Sequence, residues 1–184
     1  MRTRLLSSVP PISDAGERCE VRIRAIRPSD ATELQRFYAG LSPESRRTRF
    51  FALSPGLSQA QSRAFCTTDH DHREGFVAEA GIGPDHEERI VGHLCLEPDG
   101  AEAAEVAIAV ADACQRQGIG RRLLGAGAAW ARREHITRLT ATMLAGNAPI
   151  HCLLAGLRLP TRVAYVGAGL SEVTIDLVAQ NVAA

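Results

Sequence analysis

Ala104-Glu105-Val106-Ala107-Ile108-Ala109-Val110, then Gln115-Arg116-Gln117-Gly118-Ile119-Gly120, then Arg121-Arg122-Leu123-Leu124 is the stretch that decides the fold of this chain. The apolar run predicts a strand, and the arginine-leucine run predicts a helix. Glycine at the junction lets the backbone come close to a ligand. The first turn of a helix presents free N–H groups and a partial positive charge, which suit a polyphosphate. Three phosphate motifs compete for it. A P-loop needs a Gly-Lys pair, and the chain has no lysine. A dinucleotide fingerprint needs a third glycine where Leu123 stands. Gly125 and Gly127 fail likewise, with Trp130 at the third position, and Gly167 and Gly169 fall in a hairpin rather than before a helix. What remains is Q/R-x-x-G-x-G/A.

Outward from the motif, the pattern is α/β with a mixed sheet. Val21, Ile23 and Ala25 alternate with Arg22 and Arg24 and predict a half-exposed strand that Pro28 ends. Asp30 and Glu33 have the spacing of a capping box, opening a helix that Gly40 stops. Ser42-Pro43-Glu44 opens a second helix, which carries Arg46, Arg47 and Arg49 on one face and ends near Phe50-Phe51. Ser58 to Phe65 predicts a third. Strands follow at Phe76 to Glu79, at Arg89 to Leu96 and at Ala104 to Val110, with Pro98-Asp99-Gly100 as a turn. The helix after the motif is expected from Gly118 to Glu134, with Ile119, Leu123, Leu124, Ala128 and Ala131 as its apolar stripe. Gly125 and Gly127 each weaken it by about 1 kcal/mol against alanine, and close contact with the sheet is the expected reason. Thr137 to Leu144 is a strand. Asn147 caps a helix with Pro149 in its first turn, and Arg162 to Val166 with Val173 to Val178 close the chain as a hairpin.

Composition narrows the function. Hydrophobic residues make up 45% and charged residues 23%, which suits one soluble domain. Basic and acidic residues balance at 21 each, which argues against nucleic acid or an anionic membrane as partner. An aromatic share of 4% argues against a base-stacking platform. Cys19, Cys66, Cys95, Cys114 and Cys152 form no C-x-x-C pair, so reduced thiols in a cytoplasmic protein are expected. The N-terminal apolar run is too short for a signal peptide, and no segment approaches the roughly 20 apolar residues of a membrane span.

Three ordered blocks carry a resemblance. They are Val21-Arg22-Ile23-Arg24-x-Ile26-Arg27-Pro28-x-Asp30, then Leu41-Ser42-Pro43-Glu44-Ser45-x-x-x-Arg49-Phe50-Phe51, then Ala104 to Ala107 leading into the glycine motif. The chain resembles the GNAT superfamily of N-acetyltransferases, and within it the GNAT domains of bacterial protein lysine acetyltransferases. The resemblance implies a domain over residues 20–180, with tails at 1–19 and 181–184. It implies a mostly antiparallel seven-stranded sheet, flanked by helices and splayed open at an acetyl-CoA site. Backbone groups of Ala107, Ile108 and Ala109 would pair with pantetheine, and the loop Gln115, Arg116, Gln117, Gly118, Ile119, Gly120 and Arg121 would hold the pyrophosphate. Arg116, Arg121 or Arg122 would add charge. Asn147 matches the family asparagine near the thioester, although by its residue type it is a helix cap. The acceptor would be a primary amine, with a protein lysine implied by the subgroup, and a homodimer is left open.

Acetyl transfer needs a neutral amine, whereas a lysine ε-amine has a pKa of about 10.4. Glu105, among small and apolar neighbours, is the candidate general base, in a setting expected to raise its pKa. The resembling enzymes use the glutamate at this position, through a water. Their frequent tyrosine proton donor is replaced by Leu154, and His151 and Cys152 do not obviously substitute for it. Their usual Leu-Gly-Phe turn is replaced by Leu157-Arg158-Leu159-Pro160, so a differently built turn is expected. A small-amine acetyltransferase and a non-catalytic acyl-CoA-binding domain are the competing functions. Asp69-His70-Asp71-His72 has the residue types of a metal site, but a solvated acidic loop beside the acceptor is the favoured reading and no metal is expected. Arg46, Arg47 and Arg49 read as a helix face, with Arg49 to Phe51 at the acceptor mouth as a further reading, and His86, His93 and His135 look incidental.

Overall fold

A computed structural model describes residues 21–52, 55–70, 72–82 and 87–178. The expected tails, Cys19, Asp71 and His86 lie outside these residues. The elements run β1 (Arg22–Ala25), α1 (Ala31–Gly40), α2 (Pro43–Phe50), α3 (Gln59–Cys66), β2 (Glu74–Ile82), β3 (Glu87–Pro98), β4 (Ala103–Val110), α4 (Ile119–Arg133), β5 (Arg138–Leu144), α5 (Ala148–Ala155), β6 (Thr161–Gly167) and β7 (Leu170–Asp176). The strands form one seven-stranded sheet in the order β1-β2-β3-β4-β5-β7-β6. Its strand pairs are antiparallel except β4 with β5. Among the described residues no helix is long and apolar enough to cross a membrane.

Two helical layers sandwich part of the sheet. On one face α4 buries the expected stripe, Ile119, Leu123, Leu124, Ala128 and Ala131, together with Trp130. A Cβ on Gly127 would stand 3.1 Å from Leu94 Cδ2, so this glycine lets α4 lie close on β3. Gly125 is exposed with open space around it, so the same explanation does not reach it. On the other face α1 and α3 pack Leu34, Phe37, Tyr38 and Cys66 over Val77 and Ile90.

Several local expectations change. Asp30 does not cap α1 with its side chain. Its carboxylate instead takes a bidentate fork from Arg24, at 2.6 and 2.9 Å, and the N–H of Arg27 at 2.8 Å. Arg24 also pairs with Glu79, which Arg22 reaches at 2.8 Å, so β1 is fastened to β2 by charge as well as by its ladder. β2 and β3 are longer than their apolar runs, because polar ends such as Glu74 and Glu87 still complete backbone pairs. Glu74 is buried, with its carboxylate bonded to the N–H of Gly75 and to His70. The closing hairpin turns at Ala168 and Gly169, both at positive φ.

His93 is not incidental. It is fully buried on β3, with Nδ1 hydrogen-bonded to the Tyr38 hydroxyl at 2.9 Å and Nε2 without a partner. Burial, and secondly the charge of Arg49, hold its pKa down at about 3. The unfolded imidazole protonates near pH 6.5, so the unfolded chain binds more protons as the pH falls through that value, and stability drops. The slope is at most about 1.4 kcal/mol per pH unit. The melting temperature is therefore expected to decline between pH 6.5 and 4.5, before carboxylates titrate, and a His93→Gln variant is expected to lose that decline. An equal decline in both proteins, read by calorimetry, would count against the assignment.

Candidate active site

β4 and β5 pair over three positions only, Ala103 with Arg138, Ala104 with Leu139 and Glu105 with Thr140. Beyond them β4 stays on β3 as far as Val110, while β5 turns away with β7. The gap leaves alternate N–H and C=O groups of Val106 to Val110 without a neighbouring strand. Unpaired backbone inside a sheet is costly unless water or a ligand satisfies it. Ala107, Ile108 and Ala109 all lie on this open edge and are half-buried.

The expected motif loop stands at the mouth of the gap. Gln115 is extended, Arg116 has φ 59° and Gly118 has φ 81°. Gly118 is the N-cap of α4 and supplies no side-chain cap. The first turn of a 15-residue helix therefore keeps its free N–H groups. Gly120 lies 3.7 Å, measured from its would-be Cβ, from both Ile108 and Leu153, so β4, α4 and α5 converge there. Arg116, Gln117 and Arg121 are exposed and Ile119 is buried. Arg122 is committed to the carbonyl of Val21 at 2.6 Å, which leaves Arg116 and Arg121 as the loop cations. Asn147 caps α5 through Oδ1, which accepts from the N–H of Ile150 at 3.3 Å.

Glu105 occupies the row that crosses the sheet from Glu97 on β3 to Thr140 on β5. It is exposed, so the enclosed setting expected for it is absent. Its small neighbours alternate across the strand and leave its own side open. Beside it, Arg73 holds Glu97 at 2.6 Å. On its other side is a shallow recess of about 310 Å³ lined by Asp99, Arg138, Thr140, Arg162 and Glu172 among others. The acidic segment from Asp69 to His72 makes local bonds at its described residues. Asp69 Oδ1 accepts from the N–H groups of His72 and Arg73, and His70 turns to Glu74. Among the described residues no group of three or more His, Cys, Asp or Glu side chains could hold a metal ion.

The tyrosine-replacing Leu154 is half-buried, and His151 and Cys152 are exposed. His151 Nε2 is bonded to the carbonyl of Ala145 at 3.0 Å. Gly156 is the C-cap of α5, in a right-handed conformation, four residues ahead of Pro160.

Two features escaped the sequence reading. Arg46 and Arg49 do not line an exposed helix face with Arg47. Arg46 donates to the carbonyls of Ala39 and Leu41 at 3.0 and 2.6 Å. Arg49 runs inward and donates to Cys95 Sγ at 3.4 Å, over the rings of Phe50 and Phe65. The second feature is Asp112. It accepts from the N–H of Ser42 at 2.9 Å and from the hydroxyls of Ser42 and Ser45 at 2.7 Å each. Partial burial works against its charge, but these bonds hold its pKa below the usual carboxylate value. Gln115 Nε2 joins the same knot, donating to Ser45 and to the carbonyl of Val110. The start of the motif loop is thereby fastened to α2, which packs on β4 and β5 across the gap.

Asp112→Ala is expected to lower stability by about 1 kcal/mol, as for exposed hydrogen bonds. It is also expected to speed amide exchange in residues 42–50 while leaving β5 and β7 unchanged. Uniform exchange changes across the sheet would contradict this local anchoring.

Known proteins share this geometry. The acetyltransferase (GNAT) family matches residues 34–154. The GNAT domain of PAT from S. lividans is 29% identical, with a TM-score of 0.75 over 85% of this chain and 90% of that one. Two more distant structures share the fold. The yncA protein of Salmonella typhimurium, solved with acetyl-CoA, is 17% identical with a TM-score of 0.66 over 88% of this chain and 96% of that one. Diaminobutyrate acetyltransferase EctA of Paenibacillus lautus, solved with L-2,4-diaminobutyric acid and coenzyme A, is 18% identical with a TM-score of 0.64 over 88% of this chain and 98% of that one. With more than half its length matched to the family and a sheet that opens beside an uncapped helix, the chain belongs to the GNAT family of acetyltransferases.

Proposed function

We propose that the chain is an acetyl-CoA-dependent N-acetyltransferase whose acceptor is a lysine on another protein. The observation that carries the donor assignment is the end of β4–β5 pairing at Glu105 and Thr140, directly ahead of the uncapped first turn of α4. The open edge of Ala107, Ile108 and Ala109 fits the pantetheine amides as an added strand would. The loop from Gln115 to Gly120 fits a pyrophosphate, and Arg116 and Arg121 are free to add charge-assisted bonds. Asn147 keeps its amide nitrogen available beside the gap while its oxygen caps α5.

When bound, acetyl-CoA supplies the activated thioester. The chain orients it and handles the proton. Glu105, exposed on the row next to the gap, accepts the amine proton through a water as the nitrogen attacks. A backbone N–H on the open edge of β4 receives the oxyanion. Support for a protein acceptor comes from the shape beside Glu105. On the face that carries Thr140, Thr174 and Arg162, α2 reaches β5, and no helix packs extensively on β7 or β6 among the described residues. The recess on this face is broad and mixed in charge, whereas small-ligand sites enclose most of their ligand.

Acetyl-CoA at a hundredfold excess over Kd is expected to stabilise the protein by about 2.7 kcal/mol. No thermal shift with acetyl-CoA or CoA would refute the donor site. Glu105→Gln is expected to bind CoA normally while losing about 10²–10⁴ in transfer rate. Unchanged transfer would remove Glu105 as the base. Because the chain has no lysine, acetyl-lysine formed in a protein mixture reports the acceptor and not self-modification. Transfer confined to small amines would overturn the protein acceptor.

A further inference from the structure

Arg49 is a cation that the proposed chemistry has not yet used. It leaves the last turn of α2 and carries its charge into the interior. Its Nε is sealed from solvent and has no hydrogen-bond partner. Its surroundings are the Tyr38 hydroxyl from α1, His93 and Cys95 from β3, Phe65 from α3 and its own neighbour Phe50. None of these is an anion near neutral pH. Burial raises the Tyr38 pKa to about 12 and lifts that of the Cys95 thiol, and it keeps His93 neutral. A guanidinium stays protonated in such a place. Among the described residues it therefore has a charge without a carboxylate.

The register says where that charge lies. Cys95 pairs with Ala107, and the next row on the same face is Glu97 with Glu105. Glu97 is neutralised by Arg73. Among the described residues, this register sets the Arg49 cation, the Glu105 carboxylate and the closed Glu97–Arg73 pair on one face of β3 and β4, and Asp112 stands past the end of β4 with its carboxylate bonded to Ser42 and Ser45 of α2. A ligand laid along the open edge would be about two strand spacings, or about 10 Å, from Cys95.

We propose that Arg49 is an electrostatic positioning residue for acetyl transfer: its carboxylate-free guanidinium, held under Ala107, biases the site toward a neutral acceptor amine and an anionic departing thiol. This rests on the donor site proposed above. The need is physical. An exposed carboxylate alone would hold an incoming ammonium as an ion pair, and an ammonium cannot attack. A nearby cation offsets that preference. In the step itself the amine lone pair forms the N–C bond and the C–S pair leaves on sulfur. The amine proton passes to Glu105. No tyrosine stands at Leu154 to protonate the thiolate, so a fixed positive charge is the stabilisation that the fold supplies. A unit charge about 10 Å away, at an effective dielectric of about 20, moves a titration by about one pH unit.

The test reads the thiol itself. CoA labelled with carbon-13 next to sulfur is bound to the wild type, Arg49→Lys, Arg49→Met and Arg49→Gln, and the thiol is titrated by NMR. The bound thiol is expected to titrate about one unit lower in the wild type and Arg49→Lys than in the two neutral variants. The acidic limb of the kcat/KM profile for a lysine peptide is expected to move up by a similar amount in those variants. Thermal melts identify any variant that fails to fold, and either neutral variant suffices. Equal thiol titrations in all folded proteins would overturn the proposal. A loss confined to KM for carboxylate-bearing amines, with no pH shift, would overturn it in favour of an anion subsite. If the wild type does not bind CoA, the donor site itself is wrong and the proposal falls with it.

Discussion

The structure depends on one interruption in backbone hydrogen bonding. β4 and β5 begin as parallel neighbours and separate after Glu105 and Thr140. A sheet interior normally leaves no such edge, because an unpaired peptide group away from water is expensive. Here the edge is kept open by what flanks it. β3 holds one side of β4 as far as Val110, β7 holds β5, and α4, α5 and α2 meet around the opening. The proposed donor site is therefore a missing strand, and the glycine loop follows the end of β4.

Electrostatics divides the molecule into work done for the fold and work done at the site. Arg24 with Asp30 and Glu79 forms a compact knot that fastens β1 and the start of α1 to β2. With Arg22 also on Glu79, two guanidinium groups meet two carboxylates, so charge is balanced across the network. Arg49 is different, since nothing among the described residues neutralises it. The fold carries that charge where aromatic rings and a thiol surround it, against β3, the strand next to the one that lines the gap. A charge tolerated in this way calls for an explanation in function, and the proposed field on the amine and thiol provides one.

The motif loop and α2 are also joined. Asp112 follows directly on β4 and the next residue, and its carboxylate receives the N-terminal donors of α2. Gln115 closes the same knot from the start of the motif loop. The motif loop and the helix that packs on β4 and β5 are therefore held by one set of hydrogen bonds. The family pattern of Ser42 and Ser45 before Arg49 acquires a physical meaning from this. The serines anchor the helix, and the helix aims the arginine.

The sequence by itself determined the elements and the donor motif. Alternation in β1, the serine caps of α2 and α3, the stripe of α4 and the turn at Pro98 to Gly100 are local signals, and each one formed. The glycine motif is local too, since a few consecutive residues make the anion-binding turn. Local signals failed where partners are far apart in sequence. Asp30 was read as a cap because Glu33 stood at the right spacing, but Arg24 and Arg27 compete for its carboxylate and win. Glu105 was placed in an enclosed setting from its neighbours along the strand. Those neighbours point to the other face or are too small to cover it, and only the uncovered half of the sheet decides its exposure. Arg49 and His93 were read as surface or incidental groups, because nothing within a few residues reveals that α1, α2 and α3 close over β3. The residue types needed for binding acetyl-CoA are written in order along the chain. Which charges stay unpaired beside the gap is decided by pairing between residues up to 101 positions apart, and only the tertiary structure brings those together.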